Sequence, residues 1–109
     1  MILIFGGAYQ GKLAYAQERF GADKKIINGI HHEILTWIQA GEDVSKKINE
    51  LINNNSDAVI TCDDISCGVV PVCPTLRKWR EEVGRSMGLL TRFSDEVIRL
   101  YCGIPTRIK

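Results

Sequence analysis

A glycine-rich segment between an apolar run and an amphipathic segment constrains the fold of this chain more than any other feature. We call it the glycine-rich loop; it covers residues 6–12 and reads Gly-Gly-Ala-Tyr-Gln-Gly-Lys. The run before it, residues 2–5, is continuously apolar, as in a strand buried on both faces. The segment after it, residues 12–20, has Leu13, Ala16 and Phe20 at helical spacing and Gly21 as a stop signal. A strand, a glycine-rich turn and a helix in this order predict the start of an α/β sheet.

The rest of the chain continues this alternation of apolar runs and amphipathic segments. Strands are predicted over residues 25–28, 58–61 and 96–101, helices over 30–40, 43–52 and 75–92, and a loop over 62–74. Asp43 is the expected N-cap of the second of these helices. The pattern is typical of an α/β protein with a small, mostly parallel sheet of four strands and helices on both faces. At 109 residues, the chain is predicted to form one domain, residues 1–109.

Charge and hydropathy limit the partners that this chain is expected to bind. Fourteen basic and thirteen acidic side chains give a net charge of +1, which offers no global attraction to nucleic acid or to an anionic membrane. No apolar run approaches the roughly 20 residues of a membrane-spanning helix, and the N-terminal segment lacks the basic residues of a signal peptide. We therefore expect a cytoplasmic protein. Four strands leave sheet edges unpaired, so we also expect a homo-oligomer that covers one edge.

The cysteines and histidines do not predict a metal site. The cysteines are Cys62, Cys67, Cys73 and Cys102. They form no Cys-x-x-Cys pair, and the adjacent His31 and His32 do not complete a zinc-binding spacing. Thiols of a cytoplasmic protein stay reduced. We therefore expect free cysteines and no structural zinc, while Mg²⁺ at the nucleotide site stays possible.

The glycine-rich loop carries the strongest chemical signal in the chain. Gly6, Gly11 and Lys12 fit the frame G-x-x-x-x-G-K of a phosphate-binding P-loop, in the strand-to-helix context that this motif requires. Glycines let the backbone aim its N–H groups at phosphate oxygens, and the helix N-terminus adds partial positive charge. A lysine in this position reaches the β- and γ-phosphates of ATP or GTP. The residues predicted to bind the nucleotide here are Gly6, Gly7, Ala8, Tyr9, Gln10, Gly11, Lys12 and Leu13. The alternative is a glycine-rich turn without a ligand.

One position of the frame departs from the motif. Leu13 stands where a Ser or Thr normally supplies the hydroxyl that binds Mg²⁺, and a leucine side chain cannot ligate a metal. Magnesium-assisted phosphoryl transfer is therefore less favoured than phosphate binding itself. Tyr9 is an unusual residue for such a loop, and its ring is expected either to shield the phosphates or to fill the ligand site.

Three segments of the chain resemble one enzyme family. Residues 1–8 with Gly11-Lys12 look like its opening, and residues 63–71, which read Asp-Asp-Ile-Ser-Cys-Gly-Val-Val-Pro, look like its loop Asn-Glu-Val-Gly-x-Gly-Ile-Val-Pro. Residues 76–85, 95–97 and 103–109 look like its final helix, strand and C-terminus. The family is the bifunctional adenosylcobinamide kinase / adenosylcobinamide-phosphate guanylyltransferase of cobalamin biosynthesis, and the three segments cover roughly half of this chain. The resemblance implies a P-loop NTPase-like fold, ATP or GTP as the phosphoryl donor, and a cobinamide-type corrinoid as the acceptor.

Members of that family are considerably longer, and the gap can be placed in two ways. In one, His31 or His32 matches the family histidine that takes up GMP covalently. In the other, residues 25–30 match a later strand, so that Asn28 stands in the place of an aspartate and Trp37 lies in the following helix. We favour the second, because strand, helix and loop then follow one another as in the family. It implies that the segment with the guanylyl-transfer histidine is missing and that this activity is lost.

The histidine pair also has an interpretation that is independent of the resemblance. His31 and His32 stand where a helix is predicted to begin, so one ring is expected to pack and the other to face solvent. We favour that structural role. A role in the nucleotide site stays open, because the pair follows Gly29 at the carboxyl end of a predicted strand.

Polar residues at the carboxyl ends of strands are candidates for catalysis and binding. Asp63 and Asp64 follow the third predicted strand, at the edge where open α/β sheets bind ligands. Such a carboxylate orients Mg²⁺ through water or accepts a proton from a substrate hydroxyl, unless it only caps the loop. With Lys12, these two residues are the predicted catalytic set. Asn28 ends the second strand and cannot act as a base, but its amide can hydrogen-bond a ligand.

The last helix carries four cations. Arg77, Lys78, Arg80 and Arg85 are partly balanced by glutamates, and Glu81–Arg85 has the i,i+4 spacing of a helical ion pair. A solvated face or a subunit contact is favoured over phosphate binding. Trp79, on the apolar stripe of the same helix, is expected in the core.

The leading functional hypothesis is a cobinamide-kinase-like enzyme that transfers a phosphoryl group from ATP or GTP to a hydroxyl of a corrinoid side chain. The alternative is a non-catalytic paralogue that binds nucleotide or corrinoid, which Leu13 and Asn28 favour. A structural subunit that pairs with another chain is the third hypothesis.

Overall fold

The sheet is built around β1, the apolar run that opens the chain. The computed structural model describes residues 1–65 and 70–109, and in these residues it shows five strands and four helices. The strands are β1 (Ile2–Gly6), β2 (Ile26–Ile27), β3 (Val59–Asp63), β4 (Glu96–Tyr101) and β5 (Ile104–Arg107). The helices are α1 (Lys12–Phe20), α2 (Ile30–Gln39), α3 (Val44–Asn54) and α4 (Pro74–Phe93).

The strand order is β2-β3-β1-β4-β5. β1 pairs in parallel with β3 on one side and with β4 on the other, and β2 extends the sheet in parallel beyond β3. Neighbours on both sides and helices on both faces explain why β1 is apolar throughout. The register sets Ile2 opposite Val59 and Gly6 opposite Asp63, so β1 and β3 end together. The predicted α/β class and the mostly parallel sheet are confirmed.

The helices cover both faces of the sheet, as predicted. α1 packs on one face, where Ala16 lies against Ile4 and Leu100 in the apolar cluster. α2, α3 and α4 pack on the other, where the cluster joins Leu3 of β1 to residues of these three helices. The helix residues buried there are Ile30, Ile34, Val44, Ile48, Ile52, Val83 and Leu90. Side chains alternate between the two faces of a strand. Leu3 therefore packs in the cluster under α2, α3 and α4, and Ile2 and Ile4 pack in the cluster under α1.

Most predicted boundaries agree with the structure to within two residues. The bounds of α1 and β4 are as predicted, and Asp43 caps α3 by accepting the N–H of Lys46 at 3.3 Å. β2 is shorter than predicted and β3 runs on to Asp63, into the segment predicted as loop. Leu13 has the helical spacing of an inward-facing residue of α1 but is 38% exposed.

The prediction of four strands is wrong by one, because β5 was interpreted as an irregular tail. β5 runs antiparallel to β4, and the two are joined by Cys102 and Gly103, which both have positive φ, at 51° and 75°. That is the geometry of a type I′ hairpin turn, for which Cys-Gly is a weak sequence signal. Pro105 is tolerated in this strand because β5 lies at the sheet edge.

The described cysteines are free thiols in different surroundings. Cys62 is buried in β3, and burial raises the pKa of its thiol to about 12. Cys73 is exposed at the start of α4, where the backbone N–H groups of Leu76 and Thr75 lower its pKa. Cys102 is exposed in the hairpin turn. The predictions for Cys67 and for the family-like loop at Ser66 and Gly68 lie outside the described residues.

The helices of the described part were also compared with the dimensions of a bilayer. In residues 1–65 and 70–109, none of them combines the length and apolar character that crossing a membrane requires.

The close approach of β1 and β4 gives a test of the packing. A Cβ on Gly6 would lie 2.4 Å from the carbonyl oxygen of Leu100, and this backbone atom cannot move aside. We expect Gly6→Ala to lower the free energy of unfolding by about 1–3 kcal/mol through overpacking. Gly88→Ala is the matched control, because a Cβ there meets no atom within 4 Å. It should raise stability by about 0.5–1 kcal/mol, since alanine is the better residue inside a helix.

Urea denaturation of both variants measures the difference. Equal stability of the two would mean that β1 and β4 do not pack as described.

Candidate functional site

The site lies where β1 and β3 end side by side. Since Gly6 is opposite Asp63, the glycine-rich loop starts next to the carboxyl end of β3. The N–H of Asp64 donates to the carbonyl of Gly6 at 2.8 Å and ties the two chain segments together. The loop then enters α1 through Gly11, whose φ of 84° is in the left-handed region that favours glycine. The parallel register thus brings the predicted phosphate loop and the predicted carboxylates to one edge of the sheet.

Lys12 is folded back over the loop that precedes it. Its side chain is 8% exposed, and its Nζ donates to the carbonyl of Gly7 at 2.6 Å. The same Nζ lies 2.6 Å from Oδ1 of Asp63. An ammonium group has three N–H donors, and two of them are therefore engaged. A third donor remains for a ligand oxygen at the carboxyl edge.

Asp63 is held at three points. Lys12 contacts Oδ1, and Nε2 of His31 lies 3.3 Å from Oδ2. The backbone N–H of Asp63 donates to Nδ1 of the same imidazole at 3.1 Å. Since Nδ1 accepts this N–H, the neutral ring carries its proton on Nε2. One histidine therefore contacts both the backbone and the side chain of Asp63.

His31 is itself fixed by its surroundings. It is 4% exposed at the start of α2, and Nε1 of Trp79 on α4 donates to its carbonyl at 2.7 Å. Burial lowers the pKa of the imidazole, with Lys12 and His32 acting in the same direction and Asp63 opposing them. The ring is thus held in its neutral form.

A second hydrogen-bonded chain borders the same edge. The N–H of Gly29 donates to the hydroxyl of Thr61 at 2.9 Å, and that hydroxyl donates to Oδ1 of Asn28 at 2.7 Å. Thr61 is buried in β3, whereas Asn28 is exposed. The chain holds the Asn28 amide oxygen in place, so that its N–H donors are left for a ligand.

These groups line a pocket of about 260 Å³. Its lining residues come from the loop, from the start of α1 and α2, and from β3. They are Tyr9, Gly11, Lys12, Leu13, Ala14, Asn28, Gly29, His31, His32, Thr61 and Asp63. Pockets that enclose drug-sized ligands measure roughly 300–1,000 Å³. This one is slightly smaller than that range.

Two loop residues occupy distinctive positions. Tyr9 has a φ of 60°, which is unfavourable for a residue with a side chain, and its ring is fully exposed at the pocket. Gln10 turns the other way, and its Oε1 accepts the N–H of Cys102 in the β4–β5 turn. The β4–β5 hairpin, which was not predicted from the sequence, therefore forms a hydrogen bond to the glycine-rich loop.

The structure brings together a large part of the predicted set. Lys12, Asp63, Asn28, Tyr9 and Leu13 meet in the pocket with Gly11. The remaining predicted residues, Gly6, Gly7, Ala8, Gln10 and Asp64, form the adjoining backbone of the loop and of the β3 end.

Two residues of the site were given little or no functional weight in the sequence. His31 was assigned a structural role, and Thr61 was not considered at all. For His31, its position directly after Asn28-Gly29 at a strand end was the available signal. For Thr61, the signal was a polar residue within an otherwise apolar strand.

The fit of the pocket to Mg²⁺ is poor. Leu13 lines the pocket at the position of the usual hydroxyl and has no oxygen to offer. As long as Lys12 contacts Oδ1 of Asp63 and His31 lies against Oδ2, neither oxygen is open to a metal. In residues 1–65 and 70–109, no group of three or more His, Cys, Asp or Glu side chains is placed to hold a metal ion.

The cations of α4 lie at a different place on the molecule. Arg77, Arg80 and Arg85 line a more open cavity of about 410 Å³ together with Glu81. Arg85 pairs with Glu82 at 3.3 Å, rather than with Glu81 as its spacing had predicted. Trp79 is half-buried against the core, in agreement with the prediction.

The comparisons with known proteins add no family. The sequence matches no model of a known protein family and shows no significant similarity to a curated protein.

The environment of His31 predicts how stability depends on pH. Its pKa is lowered from the ordinary value of 6.5, so the unfolded chain binds a proton that the folded chain resists. Stability from this residue is fully present above pH 6.5 and is lost as the pH falls towards the pKa of the folded state. We expect His31→Asn, which keeps an acceptor for the Asp63 N–H, to flatten this dependence.

Thermal unfolding between pH 7.5 and 5 measures the effect, and His32→Asn is the matched control because its ring is exposed. The lowered pKa values of Asp57, beside Lys24, and of Asp95, beside the N-terminal amino group, act below pH 3.8 and do not interfere. An unchanged slope in His31→Asn would contradict the assignment.

Proposed function

We propose that this protein binds the phosphate chain of ATP or GTP in the pocket above the glycine-rich loop. The observation that carries the proposal is the position of Lys12, whose ammonium lies over the loop and beside Asp63 at the carboxyl edge of the sheet. The P-loop motif supplies the same elements: a glycine-rich turn, a helix N-terminus and a lysine that reaches the phosphates. A P-loop NTPase-like assignment of the fold belongs to this proposal and is supported by the strand-loop-helix order and by the carboxylate on the neighbouring strand.

We further propose that the bound nucleotide serves as a phosphoryl donor to a hydroxyl group. The oxygen of the acceptor forms a new bond to the γ-phosphorus while the bond to the β-phosphate oxygen breaks. The electrons of that bond leave with the nucleoside diphosphate, and the hydroxyl proton passes to the carboxylate of Asp63. Lys12 and the N–H groups of the loop balance the charge on the phosphates, and no step is assigned to a metal because the pocket fits one poorly.

The acceptor is proposed from the resemblance in sequence. Segments similar to the cobinamide kinase family suggest a hydroxyl on the side chain of a cobinamide-type corrinoid. The pocket agrees with an acceptor that stays largely outside, because about 260 Å³ leaves no room for a macrocycle beside the phosphates. Tyr9 offers an exposed ring at the rim for contact with a planar group.

A second candidate function is nucleotide binding without chemistry. Leu13 favours it, because the side chain that lines the pocket at the metal-binding position of the motif has no oxygen. The two candidates differ in their response to Mg²⁺ and in phosphate transfer.

The role of Lys12 can be measured by calorimetric titration with ATP and GTP. We expect Lys12→Met to weaken nucleotide binding at least tenfold, because the pocket loses its cation while Asp63 keeps its charge. Lys46→Met is the matched control, since Lys46 is exposed on α3. Circular dichroism and urea denaturation confirm that each variant is folded. Equal nucleotide affinities of Lys12→Met and the wild type would refute the proposed site.

The role of Leu13 is tested in the same assay with and without Mg²⁺. We expect the wild type to bind nucleotide with little dependence on Mg²⁺, and Leu13→Ser to gain a dependence because its hydroxyl restores a metal ligand. Phosphate transfer to a corrinoid by the wild type supports the enzyme. Binding without transfer to any acceptor, at any Mg²⁺ concentration, supports the non-catalytic candidate.

A further inference from the structure

His31 has a geometry that a merely structural histidine does not require. Both of its ring nitrogens contact the same residue: Nδ1 accepts the backbone N–H of Asp63, and Nε2 lies 3.3 Å from its carboxylate. Any buried imidazole needs polar partners for its nitrogens, but a packing role alone does not require that both nitrogens contact one residue at the edge of a pocket. The ring is thus tied to the backbone of Asp63 and lies against its carboxylate.

Lys12 and His31 divide the carboxylate between them. Lys12 contacts Oδ1, and His31 contacts Oδ2. The two partners differ in what a phosphate ligand would do to them. A polyphosphate anion competes with Oδ1 for the Lys12 ammonium, since both are negatively charged oxygens. The polyphosphate does not compete for His31 in this way, because the ring is neutral and both of its nitrogens contact Asp63.

We propose that His31 is a positioning residue, which holds Asp63 in place when the phosphates draw Lys12 away and leaves Oδ1 free to accept the proton of the acceptor hydroxyl. This inference rests on the proposed function and deepens it. Without His31, a carboxylate released by Lys12 turns about its side-chain torsions, and a displacement of about 1 Å is enough to lower a rate by up to about 100-fold.

His31 lies on α2 and is also hydrogen-bonded to α4. Its carbonyl accepts Nε1 of Trp79 on α4 at 2.7 Å, and the two rings lie 6.3 Å apart. The other side of the pocket edge is fixed by the bond from Gly29, the residue that caps α2, to Thr61 in β3. The orientation of Asp63 therefore depends on how α2 and α4 pack against the sheet. From the glycine-rich loop, Lys12 contacts the carboxylate of Asp63 and Gly6 lies opposite its backbone.

If phosphates compete with Asp63 for Lys12, removal of the Asp63 carboxylate should strengthen phosphate binding. Removal of a residue that itself binds phosphate would weaken it. Inorganic tripolyphosphate without metal is the probe, measured by calorimetry. We expect Asp63→Asn to bind it about tenfold more tightly than the wild type, because the variant lacks the carboxylate that neutralises Lys12 and repels the phosphates. Weaker or equal binding by Asp63→Asn would contradict the competition.

The positioning role is tested by steady-state kinetics of phosphate transfer with a series of variants. His31→Leu removes both contacts, and we expect it to lower kcat by up to about 100-fold with KM for the nucleotide changed less than about threefold. His31→Asn keeps an acceptor for the backbone N–H of Asp63 and should recover part of kcat. Glu33→Gln, an exposed position on the same helix, is the control and should match the wild type.

A long-range ¹H–¹⁵N spectrum of the histidines gives a readout that is independent of turnover. We expect His31 in its neutral form with the proton on Nε2, both before and after tripolyphosphate is added. A spectrum with the proton on Nδ1 would overturn the inference, since that nitrogen could no longer accept from Asp63.

The outcomes separate this inference from the proposed function. Failure of tripolyphosphate and nucleotide to bind overturns both. Phosphate transfer in which His31→Leu retains the kcat of the wild type overturns this inference alone. Binding without transfer in the wild type supports the non-catalytic candidate and also overturns the positioning role. A loss of kcat with KM preserved, partly recovered by His31→Asn, supports it.

Discussion

The parallel pairing of β1 with β3 is the constraint on which the rest of this structure depends. Its register makes both strands end at the same level, with Gly6 opposite Asp63. The loop and the carboxylate are more than fifty residues apart in the chain, yet they are neighbours because parallel strands present their carboxyl ends at one edge. A shift by one residue would turn the apolar side chains of β1 to the wrong layers, so burial on both faces of the strand secures the register.

The carboxyl edge of the sheet carries a largely buried ion pair between Lys12 and Asp63. Lys12 is almost wholly buried and is paired with a carboxylate that is about one quarter exposed. Removal of one partner from such a pair leaves an uncompensated charge, so the two residues act together in stability as well as in any chemistry. His31 adds a neutral donor and acceptor and no further charge. The arrangement holds the lysine close to the loop.

Predictions from sequence succeeded where the signal is local. The apolar run of β1, the spacing in α1 and the Asp43 cap depend on residues within one turn or one strand. They failed where the signal depends on a distant neighbour. β5 was not predicted, because it forms by pairing with β4 at the sheet edge. Leu13 fits a helical apolar stripe, but it lies at the start of α1, where it lines the pocket and is partly exposed.

The sequence by itself determined the order of elements, the α/β class and the chemical groups available: a glycine-rich loop with a lysine, two consecutive aspartates and a histidine pair. Only the tertiary structure decided which of these groups meet. It joined Asp63 to Lys12 and selected His31 over His32 as its partner, because α2 begins with one ring turned inward and the next turned to solvent. That choice comes from strand register and helix packing, which connect residues far apart in the chain and leave no local pattern in the sequence.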